Sequence, residues 1–117
     1  MNQRLKDEFD RLNNKHWGGK LPSVEICGSR TIKDIGVYWW PETPEEDIPE
    51  TYKIIINLNY SREVQRKTLL HEMCHHSVFV QHKQAFMENS GKIWWHGKEW
   101  RKEMRRVGFK GRVTQYT

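Results

Sequence analysis

His71 and His75 stand four residues apart with Glu72 between them, inside Thr68-Leu69-Leu70-His71-Glu72-Met73-Cys74-His75-His76. Positions four apart on an α-helix share a face, so both imidazoles can point at one ion. Glu72 is turned about 100° from His71, one helical step, which sets its carboxylate beside that ion without making it a ligand. Two neutral nitrogen donors suit Zn²⁺, and a neighbouring carboxylate can take a proton from water. The same five-residue pattern arises by chance, as two surface histidines and a surface glutamate. Its surroundings favour the metal. Leu69, Leu70, Met73 and Val80 cluster opposite the His71/His75 edge, with Val78 and Phe79 close by. A helix apolar nearly all round is a buried one, and buried imidazoles and carboxylates are costly without partners.

A catalytic zinc ordinarily has three protein ligands and one open position. His96 is the favoured third ligand, because it precedes Gly97 at the mouth of a helix whose docking would fix its place. Glu88 and Glu99 are the carboxylate alternatives, and Glu99 also fits as a partner to a ligand. His76 and His82 read as structural or surface residues, and His16 as a surface or capping one.

The elements that must position these groups follow from periodicity. Leu5, Phe9 and Leu12 make one helical stripe over residues 2–15, with Asn2 as N-cap and Asn13-Asn14 weakening the end. Trp17-Gly18-Gly19-Lys20-Leu21-Pro22 breaks that helix. Strands are expected over 24–27, over 34–40 and, most strongly, over 52–58, where Ile54, Ile55 and Ile56 fall together. In the second strand Val37 and Trp39 share one face, Tyr38 and Trp40 the other. The stretch between, with Pro41, Pro44, Pro49 and five acids, reads as a solvated hairpin loop. Ser61 starts the histidine helix, expected over 62–80, and residues 81–93 read as a loop or frayed extension. Trp100, Met104 and Val107 mark an amphipathic helix after Gly97, capped by Gly108, with Phe109 folding back. Residues 110–117 read as a flexible basic tail.

The chain has 117 residues, enough for one domain, and only 36% of them are apolar. Such a core leans on a few large side chains, and a bound metal would help stabilise it. No apolar run approaches the roughly 20 residues of a membrane span. The charged N-terminus is not a secretion signal, and Cys27 and Cys74 form no disulfide framework. The expected location is cytoplasmic. Residues 98–112 hold seven of the basic side chains against Glu99 and Glu103, which accounts for the whole net charge of +5. A local excess of this kind is the footprint that meets phosphate, or else a solvated helix face.

These pieces together resemble the SprT-like metalloprotease family, which includes the Spartan-type proteases acting on DNA–protein crosslinks. The matching pieces are Trp17-Gly-Gly-Lys-Leu-Pro22 after an N-terminal helix, the Gly36 strand, Ile54 to Asn59 leading into the His71-Glu72-x-x-His75 helix, and His96-Gly-Lys-Glu-Trp100 with Met104 downstream. The resemblance implies an α+β fold, a minimal zincin whose small, mostly antiparallel sheet of about three strands packs on the metal helix. It implies Zn²⁺ held by His71, His75 and His96, with Glu72 as the base for peptide-bond hydrolysis. Many members continue into a zinc ribbon with paired cysteines; this sequence has two isolated ones and is expected to lack that module. The implied substrate is a protein or peptide, paired with an exposed strand edge, with DNA or DNA-bound proteins in a nucleoid setting as partners. Lys98, Arg101, Lys102, Arg105 and Arg106, with Trp94 and Trp95 as stacking aromatics, are the candidate nucleic-acid contacts; core packing beside a ligand is the favoured alternative for the tryptophan pair. The rival reading is a nucleic-acid-binding module with a purely structural zinc. Tyr38, Tyr60 and Tyr116 all stay open as oxyanion partners.

Overall fold

Asn2 opens the first helix, α1 (Gln3–Trp17), by accepting the Leu5 backbone N–H on its side-chain oxygen at 3.0 Å. Leu5, Phe9 and Leu12 point inward as their spacing requires. The helix does not weaken at Asn13. It runs on to Trp17, because the buried Asn13 amide grips both backbone groups of Leu21, donating to its carbonyl at 3.0 Å and accepting from its N–H at 3.1 Å. Gly18, at φ 60°, takes the left-handed conformation that ends the helix. The computed structural model describes residues 2–39, 52–88 and 98–109, with side chains through residue 81 in the long second helix. The acidic 41–50 loop, Trp40 and the 110–117 tail lie outside the described residues.

The described residues then form the strands β1 (Glu25–Ser29), β2 (Gly36–Trp39) and β3 (Lys53–Asn57), in the sheet order β1-β3-β2. β2 pairs with β3 antiparallel and β1 pairs with β3 parallel, from Glu25↔Lys53 to Ser29↔Asn57. The expectation of a mostly antiparallel sheet therefore gives way to a mixed one. Two chain reversals return β3 to the direction of β1, and β3, the most apolar strand, takes the central slot between them. Ile26, Tyr38, Ile54 and Ile56 are buried against the helices, while Trp39 is 53% exposed on the edge strand.

The second helix, α2 (Arg62–Glu88), is about 40 Å long at the usual helical rise. Ser61 caps it, its hydroxyl accepting from the Val64 N–H at 3.3 Å. The helix passes Val80 by two turns, since nothing between Gln81 and Glu88 is a glycine or proline that would stop it. It is buried on every side from His71 to Phe79, because it lies between two cores. Leu69, Met73 and Phe79 join α1 and the sheet on one flank; Cys74 and Val78 meet Trp100 and Met104 of α3 (Lys98–Arg106), and Val107 just after it, on the other. The last helix ends as its sequence indicates. Gly108, at φ 107°, donates to the Arg105 carbonyl, and the Phe109 N–H reaches back to the Met104 carbonyl at 3.0 Å. Among the described residues, three helices and a small mixed sheet make the architecture α+β.

Candidate metal centre

The middle turn of α2 carries His71, Glu72 and His75, all buried, with one ligand-type atom from each lying within 4.8 Å of the others. The two imidazole rings stand 4.9 Å apart at 77°. The donor set is two neutral-nitrogen ligands and a carboxylate on one buried helical turn, which fits a Zn²⁺-type cation by charge and softness.

Glu72 is set into a notch made by strand β2. A Cβ built on Gly36 would fall 3.2 Å from Glu72 Oε2 and 2.5 Å from the Thr68 methyl carbon, so only a glycine lets the strand come this close. Asn57, the last residue of β3, holds the loop that delivers Gly36. Its amide donates to the Ile32 and Asp34 carbonyls at 3.2 and 3.0 Å. Burial first, and then the negative charge of Asp34, push the Glu72 carboxyl up to about 8. A cation beside it acts in the opposite direction, favouring the charged base.

The neighbouring His76 faces the sheet. Its Nε2 lies 2.8 Å from the Pro22 carbonyl, which can only accept, so Nε2 carries the proton. Nδ1 is then the acceptor for the Tyr38 hydroxyl at 2.7 Å. Burial lowers His76 to about 4, against the opposing pull of the Pro22 carbonyl. Of the structural and surface roles expected for His76, its full burial gives the structural one, and the Tyr38 hydroxyl is bonded to its ring. Tyr60 stands exposed at the far, N-terminal end of α2. Tyr116 lies outside the described residues.

On the opposite side, Trp100 of α3 closes over both metal-site rings. Its indole stacks on His75 at 5.1 Å with planes 13° apart, and meets His71 edge-on at 5.0 Å and 72°. Glu103 fastens this helix. Its carboxylate accepts from the Trp17 indole N–H at 3.2 Å, from the Ser77 hydroxyl and from the Arg106 guanidinium. Burial raises the Glu103 pKa, but the bonds from Arg106, Ser77 and Trp17 outweigh it and leave the carboxyl below its ordinary value. Arg106 also donates to the His16 carbonyl at 2.7 Å and lies over the Trp17 ring.

The structure thus brings His71, Glu72 and His75 together. His96, Trp94 and Trp95 lie outside the described residues, as do the side chains of His82 and Glu88. Glu99 is exposed and lines a groove between α2 and α3 with Val78 and Gln81. Lys98, Arg101, Lys102 and Arg105 are exposed along the outer face of α3, whereas Arg106 is turned to Glu103 and stands apart from them. Sequence reasoning missed the Trp100 lid and the Glu103 clamp. A signal for the clamp was present: Glu103 falls on the Trp100-Met104-Val107 stripe, where a carboxylate is buried and needs donors. A protein-family model described as the SprT-like family matches residues 5–117. No curated protein and no solved structure matches the chain.

Proposed function

Because the chain belongs to the SprT-like family, we propose that it is a zinc-dependent metallopeptidase of minimal zincin type, acting on proteins, with DNA-associated proteins as the substrate class. The observation that carries this reading is the buried His71-Glu72-His75 cluster, with its ligand-type atoms within 4.8 Å of one another. His71 and His75 would hold the ion, with His96 as third ligand. In the sequence His96 stands two residues before Lys98, the first residue of α3. α3 is in turn packed on the metal turn through Trp100.

A bound Zn²⁺ supplies Lewis acidity, making water more acidic and polarising a carbonyl. The protein's part falls to Glu72. Its carboxylate takes the proton of the attacking water and returns it to the departing amine nitrogen. The Gly36 notch gives that carboxylate a fixed and largely dry setting. Among the described residues β2 is an edge strand beside this notch, and an extended peptide adding to such an edge would be held by main-chain hydrogen bonds.

Metal analysis together with a peptide-hydrolysis assay tests the reading. Purified protein is expected to carry zinc in a one-to-one ratio. Glu72→Gln keeps the metal and loses hydrolysis, while His71→Ala and His96→Ala lose the metal. A His96→Ala protein with wild-type zinc content would remove His96 from the ligand set.

A second reading, a nucleic-acid-binding module with a structural metal, draws on the outward cations Lys98, Arg101, Lys102 and Arg105. Binding of single-stranded DNA that weakens with salt, survives Glu72→Gln and brings no cleavage would favour it. DNA-stimulated proteolysis would favour the enzyme.

A further inference from the structure

Trp100 leads the fully buried side chains in volume among the described residues, and it spends two ring contacts on the imidazoles of the metal turn. A helix fixes the Cα and Cβ of each histidine but leaves the ring plane loosely determined, since the second torsion of histidine is broad. A ligand nitrogen has to aim at its ion, so that torsion must be set by something else. In many metal sites a hydrogen bond to the second ring nitrogen does this. Here a flat surface lies against both rings beside their other contacts: the indole is parallel to His75 at 5.1 Å and 13°, and meets His71 edge-on at 5.0 Å and 72°. Turning either ring would give up the geometry of its contact with the indole.

The indole is itself restrained. Met104 and Val107, one and two turns on, are buried with Cys74 and Val78 of α2. Glu103, three residues after Trp100, ties α3 to Ser77 on α2 and to Trp17 at the end of α1. Ser77 is only two residues beyond His75, so the clamp anchors α3 next to the rings that Trp100 covers.

We propose that Trp100 is a positioning residue of the metal centre: its indole sets the ring planes of His71 and His75, and Glu103 holds the helix that carries it. This rests on the metal-centre reading above. Simple core filling makes a different demand, because it asks for apolar volume and no particular plane: a smaller, flexible methionine then lowers the thermal midpoint through the cavity it leaves, without altering the ligand geometry.

Cobalt(II) in place of zinc separates the two, since its visible absorption reports ligand geometry independently of turnover. Metal-free full-length wild type, Trp100→Phe, Trp100→Met and Glu103→Gln would each be titrated with Co²⁺, with the thermal midpoint recorded beside the spectrum and affinity. Wild type is expected to bind one equivalent with a defined visible band. Trp100→Met is expected to bind roughly 10- to 100-fold more weakly, the range found when partners of metal-binding histidines are removed, with a shifted or broadened band. Trp100→Phe, which restores a flat ring, should recover most of both. Wild-type spectrum and affinity in Trp100→Met would overturn the proposal, whatever happens to its thermal midpoint. If that variant does not fold, Glu103→Gln decides. A changed band there supports the proposal, and an unchanged band with unchanged affinity overturns it. Failure of wild type itself to bind Co²⁺ would overturn the metal-centre reading and this inference with it. That case is recognised because the parent fails as well as the variants.

Discussion

Gly36 and His76 show how single residues on the sheet side of the metal turn shape its surroundings. A methyl at Gly36 would meet the Thr68 methyl carbon at 2.5 Å and Glu72 Oε2 at 3.2 Å, and Thr68 is fully buried and unable to yield. Gly36→Ala is therefore expected to cost about 1–3 kcal/mol in denaturant unfolding, the usual cost of overpacking. It should also lower peptide turnover while the zinc content of the protein stays unchanged. His76 makes a pH prediction. Its folded value of about 4 lies below the ordinary 6.5 because burial disfavours the charged ring. The unfolded chain thus takes up a proton that the folded one resists. Stability from a neutral His76 is complete above pH 6.5 and declines as the pH falls toward 4, by roughly 3 kcal/mol at 1.36 kcal/mol per pH unit. In metal-free protein Glu72 runs the other way. Its raised value of about 8 means stability present below pH 4.5 and lost as the pH rises through 8. The two slopes oppose each other between pH 4.5 and 6.5. The measurement is accordingly a difference, the unfolding free energy of metal-free wild type minus that of His76→Gln across pH 4 to 7. That difference should fall on acidification.

Among the elements, α2 is the one whose sequence looks least like a surface helix, and its place between two cores is the reason. The short connection after α1 depends on one amide. Asn13→Ala strands the buried Leu21 N–H and carbonyl, at an expected cost of about 1–3 kcal/mol. Asn14→Ala, at the adjacent exposed position, should change stability by less than about 0.5 kcal/mol. Thermal or chemical unfolding of the pair reads the contrast. The same residue marks where local reasoning stops. Leu5-Phe9-Leu12 and Trp100-Met104-Val107 announced their helices and inner faces, because a 3.6-residue period is a local property. Asn13 read as a weak helix end because its stabilising partner, Leu21, becomes adjacent only after the chain has turned. The parallel pairing of β1 with β3 was hidden for a related reason. The order β1-β3-β2 is decided by which strand is most apolar and by two reversals, neither of which leaves a mark on any single strand. The His71-Glu72-His75 arrangement was legible because three chemical groups sit on one turn. The Trp100 lid joins positions 25 and 29 residues apart and needed the fold.

For the molecule as a whole, the consequences are a ligand-dependent stability and a lopsided field. An ion held by the folded state alone stabilises it by about 2.7 kcal/mol at one hundred times its dissociation constant. Zinc is thus expected to raise the melting temperature of wild type and of Glu72→Gln, and not of His75→Ala. The field is a different matter, since four cations stand on the outside of α3, away from Trp100 and the side that covers the metal turn. Lys98, Arg101, Lys102 and Arg105 are exposed there. Arg106 is not equivalent to them, because its guanidinium is engaged by Glu103 and the His16 carbonyl. If single-stranded DNA is held by this quartet, the logarithm of affinity should fall with the logarithm of salt at a slope of about −3, or roughly 0.7 for each cation that displaces a counterion. Arg101→Ala should make that slope shallower by about 0.7 and leave the melting temperature nearly unchanged. Arg106→Ala should do the reverse, lowering the melting temperature through the loosened Glu103 clamp while the slope stays where it was. Fluorescence anisotropy with a labelled oligonucleotide between 50 and 200 mM salt, run beside thermal unfolding of the same two variants, reads both quantities. Equal slopes for wild type and Arg101→Ala would move the nucleic-acid contact off the outer face of α3.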